Sequence, residues 1–278
     1  MMKTIRTRQL IVPVASLMIA TGGLQAAVNQ TWVFEGAQWG SPDWTMAGSA
    51  GYAYDTGLLP ANPSRLRLTS NQLGQAGAAW LNTTQVAPAE NWTVNLRGEF
   101  TLPQNGGADG MAVVFQTQGL GVLPTYPDLS SGLSTLPTYL AINLDSYRNA
   151  DHEAVNNALE VLSNTGEIGW LNLGDALEIP DYFNLSTSYD SATHTLSVTF
   201  DSDVRDPVTG SWNVDLGGTN LFSGANSLAT VGFVGATGAA GENHDIMSTT
   251  IIGVPEPGSL SLAAIGGLAL IYRRKIRR

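Results

Sequence analysis

Cysteine is absent from all 278 residues of the chain. This absence excludes a disulfide framework of the kind that holds many exported domains together, and it excludes cysteine-ligated zinc sites. Histidine is scarce, with three in the chain, and no Gly-x-Ser-x-Gly run supplies a nucleophile for a catalytic triad. Such a fold must therefore be stabilised by side-chain packing and by bound ions.

Basic residues are scarce between the two ends of the chain. Of the 13 lysines and arginines, three precede residue 27 and five follow residue 272, which leaves five arginines in the body. The body also holds 22 of the 23 acidic residues, so 22 acids against five arginines give it a formal charge of −17. Such a charge disfavours nucleic acid and anionic membrane surfaces as partners, and it suits cations and neutral polar ligands.

The N-terminal segment has the composition of a secretory signal peptide. Residues 1–8 are basic, residues 10–20 are largely apolar, and small residues follow up to residue 27. This order predicts export, with cleavage after Ala26. The alternative is a buried N-terminal helix, which would have to accommodate three basic side chains.

The C-terminal segment combines three features in a fixed order. Residues 254–257 read Val-Pro-Glu-Pro, residues 258–272 are apolar, and five of the last six residues are basic. Fifteen apolar residues are short for a span, which needs about 20, and the basic end favours the cytoplasmic side. The order resembles the PEP-CTERM sorting signal of Gram-negative bacteria. That resemblance implies an exosortase-type membrane protease as partner, removal of the tail, and release to the cell surface or an exopolysaccharide matrix. A plain single-span anchor is the alternative.

The body between these ends lacks a sustained apolar period near 3.6, while apolar runs recur between Gly, Pro, Asn and Ser. This pattern predicts an all-β fold. Continuous apolar runs at residues 111–115 and 139–144 predict strands that are covered on both faces. Residues 189–195 predict the turn of a hairpin. About ten or more strands without an internal repeat favour one large sandwich over two domains.

Oxygen-bearing side chains follow one of these strands at alternate positions. Asp145, Tyr147, Asn149 and Asp151 would share a face if the chain stayed extended. Calcium binds about six to eight oxygens from carboxylates, amides, backbone carbonyls and water, so this spacing is compatible with a calcium site. Asp, Asn and Ser are also ordinary turn residues after a strand, and the spacing alone leaves both interpretations open.

Three separated segments together resemble the legume-type (L-type) lectin domain. They are Gly-Gly-Ala-Asp-Gly-Met-Ala at residues 106–112, Leu-Asp-Ser-Tyr-Arg-Asn at residues 144–149, and residues 231–248 with their Gly-rich centre. The likeness covers residues 30–252. It implies a concanavalin-A-like jelly-roll sandwich of two antiparallel sheets, and an exported, calcium-dependent protein that binds a glycan or exopolysaccharide.

The resemblance also implies a calcium site. Asp145 would supply a carboxylate, Tyr147 its backbone carbonyl, Asn149 its amide oxygen, and Asp151 the last carboxylate. Asn149 would donate its amide N–H to a sugar hydroxyl while its oxygen stays on the metal. The alternatives to Asp151 are Glu153 and Asp175.

The chain departs from the plant lectin pattern at the second, transition-metal half of the site. Asn143 stands where that pattern has a glutamate, and Asn156 or Asn157 stands where it has a histidine. Without the carboxylate and the imidazole, manganese or zinc loses its preferred ligands, so calcium is the expected ion and no transition metal is expected.

The sugar site implied by the resemblance centres on Asp109. Its carboxylate would accept hydrogen bonds from sugar hydroxyls, and the Ala108–Asp109 peptide bond is expected to be cis. Gly132 would donate a backbone N–H, and the Tyr147 ring could contact the apolar face of the sugar. The specificity loop corresponds to residues 238–243. Its sugar-binding residues would be Gly238, Ala239, Ala240, Gly241 and Glu242.

Two other functions compete with sugar binding. The same sandwich carries glycosidases, in which a retaining mechanism needs two carboxylates about 5 to 5.5 Å apart. On a strand that calls for Glu-x-Asp-x-x-Glu, whereas residues 143–148 read Asn-Leu-Asp-Ser-Tyr-Arg and keep one carboxylate. A binding protein is therefore favoured over an enzyme. The remaining alternative is a structural matrix protein that has lost sugar binding.

Overall fold

The computed structural model describes residues 28–35, 41–54, 63–83, 85–124, 129–147, 157–174, 177, 181–217, 222 and 228–253. These residues form fifteen strands and one short helix, which confirms the predicted all-β fold. None of the helical structure within these ranges is long and apolar enough to cross a membrane.

The strands follow one another along the whole described chain. The first eight are β1 (Val28–Val33), β2 (Trp44–Gly48), β3 (Gly51–Tyr54), β4 (Pro63–Thr69), β5 (Ala76–Leu81), β6 (Trp92–Gln104), β7 (Gly110–Gln116) and β8 (Tyr139–Asp145). The helix α1 (Leu129–Ser134) precedes β8. The remaining strands are β9 (Ala158–Ser163), β10 (Gly166–Asn172), β11 (Asp181–Asp190), β12 (Thr195–Ser202), β13 (Arg205–Asn213), β14 (Thr230–Ala236) and β15 (Gly241–Gly253).

The strands form two antiparallel sheets, as the sequence predicted. The eight-stranded sheet has the order β13-β12-β11-β6-β15-β4-β3, and β1 also pairs with β15. The seven-stranded sheet has the order β10-β9-β8-β7-β14-β5-β2. Neighbours in both sheets are often distant in sequence, which is the pattern of a jelly roll rather than of a simple meander.

The main core lies between the two sheets. Strand β12 shows the alternation expected of a sheet with one solvated face, because Leu196, Val198 and Phe200 are buried while the residues between them are half-buried. Aromatic rings fill the centre of this core, with Phe183 stacked on Phe200 at a centroid distance of 5.5 Å.

A second apolar cluster covers the outer face of the seven-stranded sheet. Trp80, Tyr139 and Val234 point into it, and Leu133 and Leu136 pack on them from α1 and the residues that follow it. Strands β7 and β8 are therefore buried along their whole lengths, which confirms the prediction from their continuous apolar runs, and β14 is buried in the same way.

One charged cluster is buried in the eight-stranded sheet. Asp245 is 0% exposed and accepts two hydrogen bonds from Arg67, with Nε at 2.7 Å and Nη2 at 2.6 Å. Arg65 lies beside it, with Nε 3.5 Å from Asp245 Oδ2 and Nη2 2.7 Å from Glu99 Oε2. Burial raises the pKa of the Glu99 carboxyl, and the hydrogen bond from Arg65 opposes that rise. The guanidinium groups of Arg65 and Arg67 therefore compensate the buried negative charge of Glu99 and Asp245.

Buried tyrosines make the fold sensitive to alkaline pH. Burial raises the pKa of Tyr139 above the ordinary tyrosine value of about 10, and the negative charge of Glu160 raises it further. As pH rises, the unfolded chain loses this proton first, so the free energy of unfolding falls above about pH 10. The Tyr139→Phe variant should lose less stability between about pH 9 and 11 than the wild type. Urea unfolding at several pH values measures this slope, with pH 7 as reference, and an unchanged slope in the variant would contradict the assignment.

Candidate functional site

Three connecting segments meet at one end of the sandwich, which we call the site pole. They are residues 105–109 between β6 and β7, residues 146–147 after β8, and residues 237–240 between β14 and β15. Gly110 pairs with both Asp145 and Ala236, so the ends of β8 and β14 lie on either side of the start of β7. Segments identified separately in the sequence are thus brought together.

Asp109 connects these segments through its backbone. The Ala108–Asp109 peptide bond is cis, which confirms the expectation from the resemblance. The N–H of Asp109 donates to the Ala236 carbonyl at 2.8 Å, and its carbonyl accepts the N–H of Ser146 at 3.0 Å. The residue is 5% exposed. Its carboxyl group is consequently held at a fixed place between β8 and β14.

Gly110 has a conformation and an environment that require glycine. Its φ is +139°, and a Cβ atom there would lie 2.0 Å from the carbonyl oxygen of Leu144. A side chain would push β7 away from β8 at the point where Asp109 and Asp145 begin the site. The glycine therefore sets the close approach of the two carboxylate-bearing segments.

Asp145 ends β8, and its side chain shapes the turn that follows. Its Oδ1 accepts the N–H of Tyr147 at 2.8 Å, the Asx-turn geometry typical of Asp after a strand. The Tyr147 ring is 44% exposed and can contact a ligand. Within the described ranges no group of three His, Asp or Glu residues is placed to hold a metal. Four predicted or alternative ligands lie outside the described residues: Asn149, Asp151, Glu153 and Asp175.

Glu242 lies beneath the site in a buried polar network. It is 2% exposed, its Oε1 accepts the hydroxyl of Ser146, and the same oxygen is 3.2 Å from His244 Nε2. The other ring nitrogen of His244 is 2.5 Å from Thr69 Oγ1. Glu242, predicted to contact the sugar, thus joins the end of β8 to β15 and β4.

The turn between β14 and β15 is shorter than the sequence indicated. The resemblance implied a specificity loop at residues 238–243, but Gly241 already pairs with Gln104 and Asn243 pairs with Thr101. The Gly238 carbonyl accepts the N–H of Gly74 at 3.0 Å. Of the five predicted sugar-binding residues in this segment, Ala239 is exposed, whereas four are buried: Gly238, Ala240, Gly241 and Glu242.

Gly132 lies in α1, and its carbonyl accepts the N–H and the hydroxyl of Thr135. The next residue, Leu133, packs in the cluster that contains Tyr139 and Ala141, which lie well before the end of β8. These described contacts of Gly132 and its helix do not reach Asp109. The donation of the Gly132 N–H to a sugar stays a prediction.

Glu160 is a buried acid that the sequence analysis did not single out. The Asn143 side chain donates from Nδ2 to Glu160 Oε2 at 3.0 Å, and both residues are buried. A carboxylate therefore lies across from the position where the chain lacks the glutamate of the plant pattern. The available signal was a glutamate inside the otherwise apolar run at residues 158–162. Asn157 is buried nearby in sequence, with its carbonyl accepting the N–H of Leu173 at 2.8 Å.

Comparison with known proteins finds similarities for the C-terminal tail and for the body of the chain. A family model described as the PEP-CTERM protein-sorting motif matches residues 253–278. A search of curated protein sequences finds no significant match. The solved seed lectin of Lotus tetragonolobus superposes with a TM-score of 0.64 at 17% identity, covering 82% of this chain and 100% of that one. The fold is that of the legume lectins.

Other solved structures share this lectin fold. The metal-free lectin I-B4 of Griffonia simplicifolia matches with a TM-score of 0.63 at 18% identity, over 80% of this chain and 98% of that one. The exoplasmic/lumenal domain of VIP36, solved with Ca2+ and Man3GlcNAc bound, matches with a TM-score of 0.57 at 20% identity, over 77% and 85%. The lectin fold confirms the predicted jelly-roll sandwich, and the sorting motif confirms the predicted resemblance of the tail.

Proposed function

We propose that this lectin-like, exported protein binds carbohydrate in a calcium-dependent manner at the site pole. The observation that carries the proposal is the position of Asp109, whose backbone is bonded to Ala236 on one side and to Ser146 on the other. This arrangement puts one buried carboxylate beside the strand end that carries Asp145 and beside the turn at residues 237–240. The VIP36 domain, which shares the fold, was solved with calcium and an oligosaccharide bound.

Calcium would be held by the end of β8 and the residues that follow it. Asp145 contributes a carboxylate and Tyr147 a carbonyl, with Asn149 and Asp151 completing the set and Glu153 or Asp175 as alternatives to Asp151. Every donor in this set is an oxygen, which is the chemistry that calcium prefers. The bound ion supplies positive charge that fixes the loop. We propose calcium as the only metal, because Asn143 and Glu160 bond to each other.

The sugar would be bound by groups that surround Asp109. Its carboxylate accepts hydrogen bonds from two hydroxyls, Asn149 donates its amide N–H, and the exposed Tyr147 ring packs on the apolar face of the sugar. Gly132 and the turn at residues 238–242 complete the proposed set, with Ala239 as its exposed member. A neutral sugar suits a body that carries a formal charge of −17 from 22 acids and five arginines.

A glycan array with and without calcium tests the proposal. We expect retention on at least one glycan in calcium and loss of retention in chelator. The rival functions give different results: release of reducing ends from polysaccharide would favour a glycosidase, and neither binding nor hydrolysis would favour a structural matrix protein. The lectin fold itself favours a binding protein that is not an enzyme.

The Asp109→Asn variant separates sugar binding from folding. The amide keeps the size of the side chain and the backbone bonds to Ala236 and Ser146, but it removes the charged acceptor. Hydrogen bonds to charged groups contribute about 1.5 to 3 kcal/mol, so affinity for the array ligand should fall by about tenfold or more. The matched control is Asp201→Asn on β12, which should leave the affinity unchanged. Unaltered binding by the Asp109 variant would place the site elsewhere.

The sorting segment defines the proposed route of the protein. Residues 1–26 would direct export, residues 27–253 would make up the sandwich domain, and residues 254–278 would be recognised by an exosortase-type membrane protease. Contact with the membrane would occur through the tail, and the final location would be the cell surface or the exopolysaccharide matrix. The intact mass of the protein recovered from the cell surface tests whether the tail is removed.

A further inference from the structure

Both ends of the described chain lie at the end of the sandwich opposite the site pole. Val28, the first residue of β1, pairs with Gly253, the last residue of β15. Gly253 also pairs with Trp92 at the start of β6. We call this end, together with the turn at residues 190–195, the tail pole. The sorting motif begins at residue 253, so it starts where the sandwich ends.

A single strand joins the two poles. Strand β15 runs from Gly241, directly after the turn at the site pole, to Gly253 at the tail pole. It has 13 residues, and a strand rises by about 3.3 Å per residue, so the two poles are about 40 Å apart. Its ladder with β6 extends over the whole strand, with Gly241 opposite Gln104 at one end. The distance is therefore set by a paired strand in the middle of the sheet.

The connection to the apolar part of the tail is much shorter than the sandwich. Residues 254–257 separate Gly253 from the apolar run that begins at residue 258. Four residues span at most about 14 Å when fully extended. A tether of that length keeps the tail pole within about 14 Å of the surface in which residues 258–272 would be embedded. The site pole, about 40 Å away, could then approach that surface only if the body lay flat. The body carries 22 acids against five arginines, so electrostatic repulsion opposes its lying flat on an anionic membrane surface.

We propose that the tail pole faces the lipid membrane while the sorting segment is embedded, and that the site pole points away from it. The orientation follows from the fold and the tail, and it rests on the proposed function only for what the site pole binds. Anchoring and glycan binding then use opposite ends of the molecule. Cleavage at residues 254–257 would release the sandwich without altering the site.

The absence of cysteine makes the orientation measurable with single labels. Three exposed turn residues mark three heights along the sandwich: Ala192 at the tail pole, Val204 between β12 and β13, and Leu73 beside the site pole. Val204 and Leu73 are each 48% exposed. The Gly74 N–H donates to the Gly238 carbonyl, which fixes the Leu73 turn next to residues 237–240. The variants Ala192→Cys, Val204→Cys and Leu73→Cys each carry one fluorescent donor.

The full-length labelled chains are inserted through their own tails into vesicles that contain acceptor lipids. We expect energy transfer to decrease in the order Ala192, Val204, Leu73, with transfer from the Leu73 label close to background. Equal transfer from the three labels would mean that the body lies flat or tumbles, and the reverse order would put the site pole on the membrane; either result overturns the proposal.

The same vesicles separate this proposal from the proposed function. Glycans identified on the array are added with calcium, and we expect the anchored chain to bind them as tightly as the chain in detergent. Binding in detergent but not on vesicles would contradict the orientation, since the site would be covered. No binding in either state, with the energy-transfer order as expected, would contradict carbohydrate binding and uphold the orientation.

Discussion

Replacing Asp145 with alanine is expected to abolish calcium binding and, with it, glycan binding. The carboxylate is the proposed side-chain ligand at the end of β8, and the ion is proposed to hold the segment that carries Asn149. A ligand at 100 times its dissociation constant stabilises the folded state by about 2.7 kcal/mol. The wild type should therefore gain about that much stability in calcium, and Asp145→Ala should gain none. Calorimetric titration and thermal unfolding with and without calcium measure the two effects.

Asp190→Ala is a matched control for this variant. Asp190 is also the last residue of a strand, β11, and its Oδ1 accepts the N–H of Ala192 at 2.9 Å, as Asp145 Oδ1 accepts the N–H of Tyr147 at 2.8 Å. Both variants lose the hydrogen bond that shapes the turn after the strand. Only Asp145→Ala is expected to lose calcium binding as well. Undiminished calcium uptake in Asp145→Ala would show that this residue only shapes its turn. The pair thus decides between the two interpretations that the spacing left open.

Asp245→Asn is expected to lower the free energy of unfolding by about 3 to 5 kcal/mol, because it removes the charge that compensates two partly buried guanidinium groups. Asp245 is fully buried and accepts two hydrogen bonds from Arg67. Asparagine keeps the volume, so the loss does not include a cavity. It can accept with one oxygen only, and its NH₂ group would face a cation. Urea unfolding of the variant and the wild type at neutral pH gives the difference.

Glu35→Gln is the control for an ion pair in water. Arg97 Nη1 and Glu35 Oε2 are 3.5 Å apart, and both side chains are more than 40% exposed. Pairs of this kind contribute about 0 to 1 kcal/mol, so the control should lose little stability. A loss in Asp245→Asn no larger than that of Glu35→Gln would show that the buried cluster is dispensable.

The strands that could be predicted from the sequence are those whose environment repeats along the chain. Strands β7, β8 and β14 have both faces covered, so most of their residues are apolar or small, and β12 alternates because one face is solvated. Strand β10 lacks such a pattern, and β13 alternates only over residues 208–213. Gly169 and Gly210 leave space there for the Trp212 ring, since a Cβ on Gly169 would lie 1.9 Å from Trp212 Nε1. The need for glycine at these positions arises from packing between the two sheets. It produces no periodic pattern in the local sequence from which the strands could be predicted.

The candidate site was predictable where it rests on local chemistry. Asp145 at a strand end was identified from its neighbours in sequence, whereas Asp109 was identified from the resemblance to the L-type lectin domain. The network below them was not, because Ser146 and Glu242 are 96 residues apart and Thr69 and His244 are 175 apart. The length of the turn after β14 was also missed. Glycines at residues 238 and 241 indicate a loop, but residues 241–244 gain a ladder with β6 that only the folded sheet provides.

The path of β15 has a mechanical consequence. A glycan held at one end and an anchor at the other would pull on the molecule along this strand, which is paired with β6 over its whole length and with β1 and β4 on its other side. A load applied at the two ends of one extended strand is carried by its covalent backbone, and the ladder hydrogen bonds, which lie perpendicular to the strands, are not peeled open one at a time. Single-molecule pulling between residues 239 and 253 should therefore require more force than pulling between Ala192 and residue 253, where the load would open the sheet from its end.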